Sequence, residues 1–497
     1  MSGIRVTFSG LLSFVIGLVS IVTGLIFILI VTRQLTPTEF GTWGLIGGLT
    51  TYVLVIDPMI SFWTTRQIAR GNDPGRTSIV STGVFSIIAL FAYFLIVHVV
   101  GDQINIDKEI LIFASIQIPA LYFRSVLVSI CRGYKPHIVS YGNLVFEFAK
   151  IPLAFFFIFF MDWGLFGVII AVTIAITVNI IVLVINVSEK IKGKFNYSYF
   201  KNWIRLFWIP IYPQISSIVK NLDVLIFPLI TGSVSGMAFW FASITISNLV
   251  LHTEKISYAI YPKLLEGGKK KILETNLEQV FYFAFPLLVM SLVFSKPALF
   301  TLNPLYVSAT NIVIILTFLA FLRTFSTIFN NSLKGIEKVD TYSNATFKDY
   351  IKSKLFHLPT IRLAQRCGYI GTLTVILLLI FPQTESDEEI VFYWGIVAFV
   401  TQIPYTLYLY NYVRKEFKPN IDIRALIKYL LTSIVVFAIM WILMDRFLVY
   451  HDSIFQFLPN FLPFVVIGVL GYLIITYFID NKTKKLFHMI ISEIKQR

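Results

Sequence analysis

Apolar segments of about 20 residues recur along the whole sequence, and each is long enough to cross a bilayer as a helix. Only 14% of the 497 residues are charged and 57% are hydrophobic, which leaves too little polar surface for a soluble fold of this size. We therefore predict an all-α polytopic membrane protein with about fourteen transmembrane helices. The predicted spans are 11–32, 40–62, 77–100, 110–131, 139–160, 165–187, 206–231, 236–261, 278–295, 309–331, 367–382, 390–412, 424–444 and 458–479.

Lysine and arginine are distributed unevenly between the connecting segments. With the N-terminus placed in the cytoplasm, 32 of the 41 basic residues fall on the inner side and 5 fall within spans. The remaining four, on the outer side, are Arg33, Lys108, Lys296 and Arg446. This excess follows the positive-inside rule, so we predict a multi-pass protein of the cytoplasmic membrane with both termini in the cytoplasm. The net charge of +14 then reflects topology, and we expect no nucleic-acid partner.

The sequence contains a weak internal repeat. At an offset of 197, Thr36, Thr38, Trp43 and Asp57 are matched by Ser233, Ser235, Trp240 and Glu254. At an offset of 199, Arg124 is matched by Arg323. The copies are six spans apart and share one orientation, as in a parallel repeat. We predict an N-lobe at 1–187, a cytoplasmic linker at 188–205, a C-lobe at 206–412, two further spans at 413–480 and a cytoplasmic amphipathic tail at 481–497.

Nine charged residues lie inside the predicted spans, where a charge costs at least about 2.5–3.5 kcal/mol. They are Arg124, Lys150, Lys220, Lys255, Arg323, Asp57, Glu147, Asp223 and Glu254. Such charges either pair with one another or face a water-filled cavity. We take the five basic residues as candidates for substrate binding and the four acids as candidates for ion coupling.

Four of these charges form two pairs with a spacing of three residues, Glu147 with Lys150 and Lys220 with Asp223. A helix places such residues on one face. Each pair is therefore one of two things. It is either an intrahelical ion pair that lowers the cost of membrane insertion, or part of a lobe surface that exposes both a positive and a negative charge to water.

Arg124 and Arg323 have no carboxylate within four residues. Each needs either an anionic ligand or a carboxylate from another helix, such as Asp57 or Glu254. A guanidinium binds phosphate through two parallel hydrogen bonds, so these arginines are the main candidates for an anionic substrate. Asp57 and Glu254 lie towards the predicted inner ends of their spans. They are either hydrated caps or, if desolvated, proton carriers.

Sequence patterns typical of enzymes are missing. Gly267-Gly268-Lys269 lacks the spacing of a Walker A motif, so the chain itself is not an ATPase. The two cysteines form neither a disulfide framework nor a metal motif. The predicted outer loops are too short to carry the catalytic groups of a glycosyltransferase, polymerase or ligase. We expect a monomer without enzymatic activity, cofactor or bound metal.

The segment 35–70 resembles the N-terminal signature of polysaccharide flippases, the lipid-linked oligosaccharide flippases of the multidrug/oligosaccharidyl-lipid/polysaccharide exporter superfamily. The likeness rests on Phe40-Gly41-x-Trp43, Asp57-Pro58 and Arg66-x-x-x-Arg70. The second half is similar to the family in Asp223, Gly232, Trp240 and Pro262-Lys263. It departs from the family where Lys255, instead of glycine, follows Glu254, and in the long charged stretch before span 11.

The resemblance implies a two-lobed, alternating-access transporter of polyprenyl-phosphate or polyprenyl-diphosphate oligosaccharides. In such a transporter, basic cavity residues bind the diphosphate, and spans 13 and 14 offer an apolar groove for the lipid tail. Its partners would be membrane lipid, the lipid-linked glycan and glycan-assembly enzymes, and its coupling ion H⁺ or Na⁺. The alternative in the same superfamily is a multidrug or toxic-compound extruder, usually built from twelve spans. An integral-membrane glycan-processing enzyme is the third hypothesis.

Overall fold

The computed structural model describes residues 6–484 apart from 102, 105, 258–263, 265–269, 338, 340–346 and 385. These residues form nineteen α-helices and no strand, which confirms the all-α prediction. The predicted tail from 485 onwards and the Pro262-Lys263 motif lie outside the described residues. In chain order the helices are α1 (Val6–Gln34), α2 (Pro37–Val53), α3 (Pro58–Ala69), α4 (Gly75–Gly101), α5 (Lys108–Ala114), α6 (Gln117–Tyr134), α7 (His137–Ala154), α8 (Gly164–Ile191), α9 (Tyr197–Arg205), α10 (Trp208–Thr231), α11 (Ser235–Ser247), α12 (Lys270–Val293), α13 (Ser295–Leu302), α14 (Thr310–Gly335), α15 (Phe347–Lys352), α16 (Lys354–Ile380), α17 (Asp387–Phe417), α18 (Ile423–Phe447) and α19 (Ile454–Ile479).

Each of the fourteen predicted spans coincides with an apolar helical segment. In the described part of the chain, twelve of these segments are long and apolar enough to cross a membrane. The other two are shorter apolar stretches, Val22–Gln34 within α1 and Ser235–Ser247 in α11, and they match the first and eighth predicted spans. The polytopic prediction is therefore confirmed.

The eleventh span begins earlier than the sequence predicts. We predict a start at 367, but α16 is helical from Lys354. The prediction treats Arg362 and Arg366 as loop residues because charges lower the apparent hydropathy of a segment. The structure instead keeps both arginines on the helix, where they line a polar cavity, and Arg366 is only 8% exposed.

The second and eighth predicted spans are not continuous α-helices. The helix α2 ends at Val53, a 3₁₀ segment covers Leu54–Ile56, and α3 begins at Pro58. Proline has no N–H and disfavours helical geometry before it, which explains the break. Tyr122 on α6 donates a hydrogen bond of 2.6 Å to the carbonyl of Val53 and satisfies the interrupted backbone. In the eighth span, α11 is followed by a 3₁₀ segment at Val250–Ser257.

The chain divides into two compact units. Unit 1 comprises Met1–Phe241 and Thr374–Asp387, and unit 2 comprises Ala242–Leu373 and Glu388–Arg497. The lobe boundaries derived from the sequence stay a prediction. Within unit 1, the predicted linker contains α9, whose Trp203 is 1% exposed and belongs to the apolar core with Ile130 and Val187. The linker is thus packed onto its own unit.

In unit 2, the last two spans are bonded to α12. Pro286 lies inside α12 and has no N–H group. The carbonyl of Tyr282, four residues earlier, therefore lacks its usual helical hydrogen bond. Tyr472 on α19 donates a hydrogen bond of 2.7 Å to this carbonyl. The Tyr282 hydroxyl pairs with that of Thr476 at 3.0 Å, and Tyr429 on α18 donates to Asp480 at 2.9 Å. A polar cluster of buried tyrosines therefore joins α12, α18 and α19.

Candidate functional site

A polar cavity of about 360 Å³ lies within unit 2. Three helices and the 3₁₀ segment Val250–Ser257 contribute its lining, and each helix presents one face at helical spacing. The lining residues are Leu251, Glu254, Arg323, Ser326, Thr327, Asn330, Asn331, Lys334, Arg362, Arg366, Gln402 and Tyr405. We call this the unit 2 cavity. Four of its side chains are basic and one is acidic, so its formal charge is +3.

The neutral groups of the unit 2 cavity are bonded to one another. Gln402 donates a hydrogen bond of 3.0 Å to Ser326, and Asn330 donates one of 3.2 Å to Tyr405. Ser326 and Thr406 share a further hydrogen bond of 2.8 Å between their hydroxyl groups. This network fixes the faces of α14 and α17 from which the cavity is built.

The basic groups of the unit 2 cavity, in contrast, lie near other basic groups. Arg366 is buried, and the charges of Arg323 and Arg362 both act on its guanidinium group, as do the side chains of Tyr369 and Tyr405. None of these four described residues is a carboxylate. Three guanidinium groups in a small, partly dehydrated space repel one another, so an anion that enters is stabilised by all of them.

Glu254 is the only carboxylate among the described residues that line this cavity. Thr327 lines the cavity with it, and the charges of Lys255 and Arg362 act on its carboxylate. Lys255 does not itself contribute to the lining. The structure thus brings together two predicted residues, Arg323 and Glu254.

A second polar cavity, of about 450 Å³, lies within unit 1. Its lining residues are Leu54, Asp57, Ser61, Leu121, Arg124, Ser125, Val128, Ser129, Arg132, Val139 and Asn143. The face that α6 presents here has the same residue spacing as the face that α14 presents to the unit 2 cavity. With two basic residues and one acid, this unit 1 cavity carries a formal charge of only +1.

Arg124 is held by neutral groups in the unit 1 cavity. Its Nε donates to Asn179 at 3.1 Å and its terminal nitrogen donates to Asn143 at 3.2 Å. The guanidinium also lies 4.7 Å from the ring centre of Phe146. Asp57 accepts a hydrogen bond of 2.6 Å from Ser125 instead. The two predicted residues share a cavity, but the hydrogen bonds described here go to different partners.

The predicted pair on α7 is an ion pair. Lys150 lies 2.7 Å from Glu147, which also accepts a hydrogen bond of 2.9 Å from Thr23 on α1. Lys150 is 4.9 Å from the ring centre of Phe27. Neither charged residue lines one of the two cavities. The intrahelical alternative from the sequence therefore describes this pair better than a water-facing wall does.

The second predicted pair lies on α10. Lys220 is 3.6 Å from Asp223, whose side chain is fully buried. Asp223 also accepts a hydrogen bond of 2.8 Å from the backbone of Val224. Both residues lie outside the unit 1 and unit 2 cavities.

Sequence reasoning missed three basic residues of the unit 2 cavity. Lys334, Arg362 and Arg366 all fall in the segment that we predict as an inner loop, 332–366. A spacing rule would have found part of the site. Arg362 and Arg366 are four residues apart, and Lys334 follows Arg323 by three helical turns, so each set shares a helix face.

Comparison with known proteins gives matches only among solved structures. No protein-family model matches the chain, and no curated protein sequence matches it. A lipid II flippase, MurJ, in an inward closed conformation superposes with a TM-score of 0.62 at 15% identity, covering 94% of this chain and 98% of the flippase. An inward-facing multidrug resistance transporter of the MATE family gives a TM-score of 0.60 at 12% identity, covering 82% of this chain and 98% of the transporter.

The similarity extends to more than one conformation. An outward-facing MATE transporter matches with a TM-score of 0.52 at 14% identity, covering 83% of this chain. Identities this low establish a shared fold and leave the substrate open. The chain therefore has the fold seen in the lipid II flippase and in the MATE transporters.

Proposed function

We propose that this protein is a flippase that moves a polyprenyl-phosphate- or polyprenyl-diphosphate-linked oligosaccharide across the cytoplasmic membrane by alternating access. The observation that carries the proposal is the unit 2 cavity, whose described lining has four basic side chains, Arg323, Lys334, Arg362 and Arg366, and one carboxylate. The movement is coupled to an H⁺ or Na⁺ gradient. The protein works as a monomer alongside glycan-assembly enzymes, and it performs no catalysis itself.

The charge of the unit 2 cavity supports an anionic cargo. Arginine binds phosphate oxygens through two parallel hydrogen bonds, and a buried site strengthens each of them. A volume of about 360 Å³ lies at the small end of ligand pockets. In this proposal, therefore, the cavity holds the phosphate or diphosphate group, while the sugar and the lipid tail lie outside it.

The second candidate function is extrusion of cationic drugs. It is favoured by the MATE structures, which match the fold almost as well as the lipid II flippase does. The formal charge of +3 in the unit 2 cavity argues against it, because a cation entering there would meet three arginines and a lysine. Binding measurements with ligands of opposite charge separate the two functions.

The test is binding of farnesyl diphosphate, farnesol and ethidium to the purified full-length protein in lipid nanodiscs. We expect farnesyl diphosphate to bind and the two others not to compete with it. Arg366→Ala and Arg362→Ala should each weaken this binding about 10- to 100-fold, as loss of a charge-assisted hydrogen bond costs about 1.5–3 kcal/mol. The matched control is Arg424→Ala, an exposed arginine at the start of α18.

Complementation of a flippase-deficient strain tests transport directly. The variants Arg323→Ala and Arg366→Ala should insert into the membrane and fail to restore surface glycan. Normal glycan levels with both arginines removed would overturn the assignment of the cavity. Tight binding of ethidium together with no binding of farnesyl diphosphate would favour the drug extruder.

A further inference from the structure

Glu254 occupies an unusual position for a carboxylate in an anion-binding cavity. It lines the same space as the arginines and interacts electrostatically with Arg362. Any phosphate that enters the cavity has to share or take over this arginine. A carboxylate and a phosphate oxygen are alternative partners for one guanidinium, since both accept its parallel N–H groups.

We propose that Glu254 is an internal counter-anion that competes with the cargo phosphate for Arg362 and so sets how tightly the cargo is held. The inference rests on the proposed function and concerns the regulation of the same cavity. In the empty cavity the carboxylate compensates one of four positive charges. When phosphate is bound, the carboxylate is a like charge beside it, which weakens binding and favours release.

The contacts of Glu254 allow this exchange. Thr327 lines the cavity together with Glu254 and acts on its carboxylate, so a hydroxyl group remains near this charge when Arg362 turns to another anion. The 3₁₀ segment that carries Glu254 packs mainly against α14 and α12. From α12, the neutral side chain of Asn276 binds this segment at Ser257, at 2.6 Å, and no described residue of α12 lines the cavity.

Protonation of Glu254 would remove the competition. Among the described residues, the titratable and charged groups around it are His252 and Lys255 on its own segment, Arg323 and Lys334 on α14, Arg362 and Arg366 on α16, and Tyr405 on α17. All but the histidine and the tyrosine carry a positive charge at neutral pH. Uptake of one proton by Glu254 therefore leaves the cavity more positive and the cargo phosphate more tightly bound.

The experiment compares Glu254→Gln with the wild-type protein in titrations with farnesyl diphosphate from acid to alkaline pH. At alkaline pH, Glu254→Gln should bind about tenfold more tightly, which corresponds to about 1.4 kcal/mol. The ratio of the two dissociation constants should fall towards one as the pH is lowered. Titration of the ligand itself cancels in this ratio. The control variant is Asp445→Asn, which removes an exposed carboxylate outside the cavity.

Transport gives a second readout that a merely structural role would not produce. Glu254→Gln should bind more tightly and yet restore less surface glycan, because release becomes slow. If Glu254→Gln does not fold, Glu254→Asp replaces it: the shorter side chain keeps the charge but reaches less far towards Arg362, so a smaller gain in affinity is expected.

The outcomes separate the two proposals. Failure of the wild-type protein to bind farnesyl diphosphate overturns the proposed function. Binding by the wild type with unchanged or weaker affinity in Glu254→Gln, or a constant affinity ratio across the pH range, overturns the role of Glu254 and leaves the proposed function standing.

Discussion

Lys150 lies 2.7 Å from Glu147, one helical turn away on α7, and both side chains are at most 14% exposed. Breaking such a buried pair from one side leaves an uncompensated charge, at a cost of about 3–5 kcal/mol. We therefore expect Lys150→Met to lower the thermal stability of the purified protein strongly. The double variant Glu147→Gln with Lys150→Met should recover most of that loss. If the two substitutions have additive effects on stability in unfolding measurements, Glu147 and Lys150 do not stabilise each other.

The hydrogen bond from Tyr472 to the carbonyl of Tyr282 depends on Pro286. We expect Tyr472→Phe to destabilise the protein by about 1–3 kcal/mol, because a buried carbonyl loses its donor. In a Pro286→Ala background the restored N–H can bond this carbonyl, and Tyr472→Phe should then cost less. Melting temperatures of the four proteins in one detergent provide the measurement. An equal loss of melting temperature in both backgrounds would show that the role of Tyr472 does not depend on Pro286.

Arg124 holds Asn143 and Asn179 together in unit 1. Replacement by alanine leaves two amide oxygens without these donors, so we expect Arg124→Ala to destabilise the protein by about 1–3 kcal/mol. Arg124→Lys should cost less, since it keeps the charge and one donor. The comparison variant is Arg132→Ala, an exposed residue that lines the same cavity. A similar drop in melting temperature for Arg132→Ala would contradict the structural role of Arg124.

A charged cluster links the start of α18 to the end of α19. Lys482 donates hydrogen bonds of 3.0 Å to Asp422 and to Glu278. The bond from Lys482, with that from the backbone N–H of Ala425, holds the pKa of Asp422 below its usual value. A carboxyl group of this kind stabilises the fold above its unfolded-state pKa of about 3.9, and the contribution is lost as the pH falls through its lower folded-state pKa.

We expect Asp422→Asn to lower stability slightly at neutral pH. Asparagine also caps helices well, so the substitution removes the charge and keeps the cap of α18. The side chains of Asp422 and Lys482 are 41% and 48% exposed, which limits the effect to less than about 1 kcal/mol. The difference in melting temperature should shrink as the pH falls below about 4, and it should also shrink in 1 M salt. A difference that does not depend on salt would assign the effect to packing.

The predicted orientation is tested by cysteine labelling. In a background without Cys131 and Cys367, Ser386→Cys in the loop between α16 and α17 should react with a membrane-impermeant maleimide on intact cells. Lys415→Cys, at the other end of α17, should react only after permeabilisation. Both positions are exposed to solvent in the structure. The reverse labelling pattern would place the termini outside.

The positions of the helices were predictable because hydropathy alone reports how long a segment can stay in hydrocarbon. The ion pair on α7 was predictable too, since a spacing of three residues brings Glu147 and Lys150 to one face. Both are local properties of the sequence. Neither requires knowledge of which helices are neighbours.

The full charge of the unit 2 cavity could not be predicted in this way. Arg362 and Arg366 look like loop residues until the helix that brings them to the same cavity as Arg323 is known. Likewise, the partners of Arg124 are two asparagines, of which Asn179 is 55 positions away, and nothing in the local sequence selects them over Asp57. Which residues meet in these two cavities depends on contacts between polar groups that are far apart in the sequence.

The bond between Tyr472 and Tyr282 also sets an order of events during biosynthesis. Its two residues are 190 positions apart, so α12 enters the membrane long before its partner has been synthesised. Pro286 cannot donate a hydrogen bond to the Tyr282 carbonyl. Until Tyr472 is in place, this carbonyl has to accept a hydrogen bond from water or from another nearby group. Unit 2 consequently cannot reach its final packing until α19 has been synthesised, and a nascent chain stopped after α17 should remain sensitive to membrane proteases.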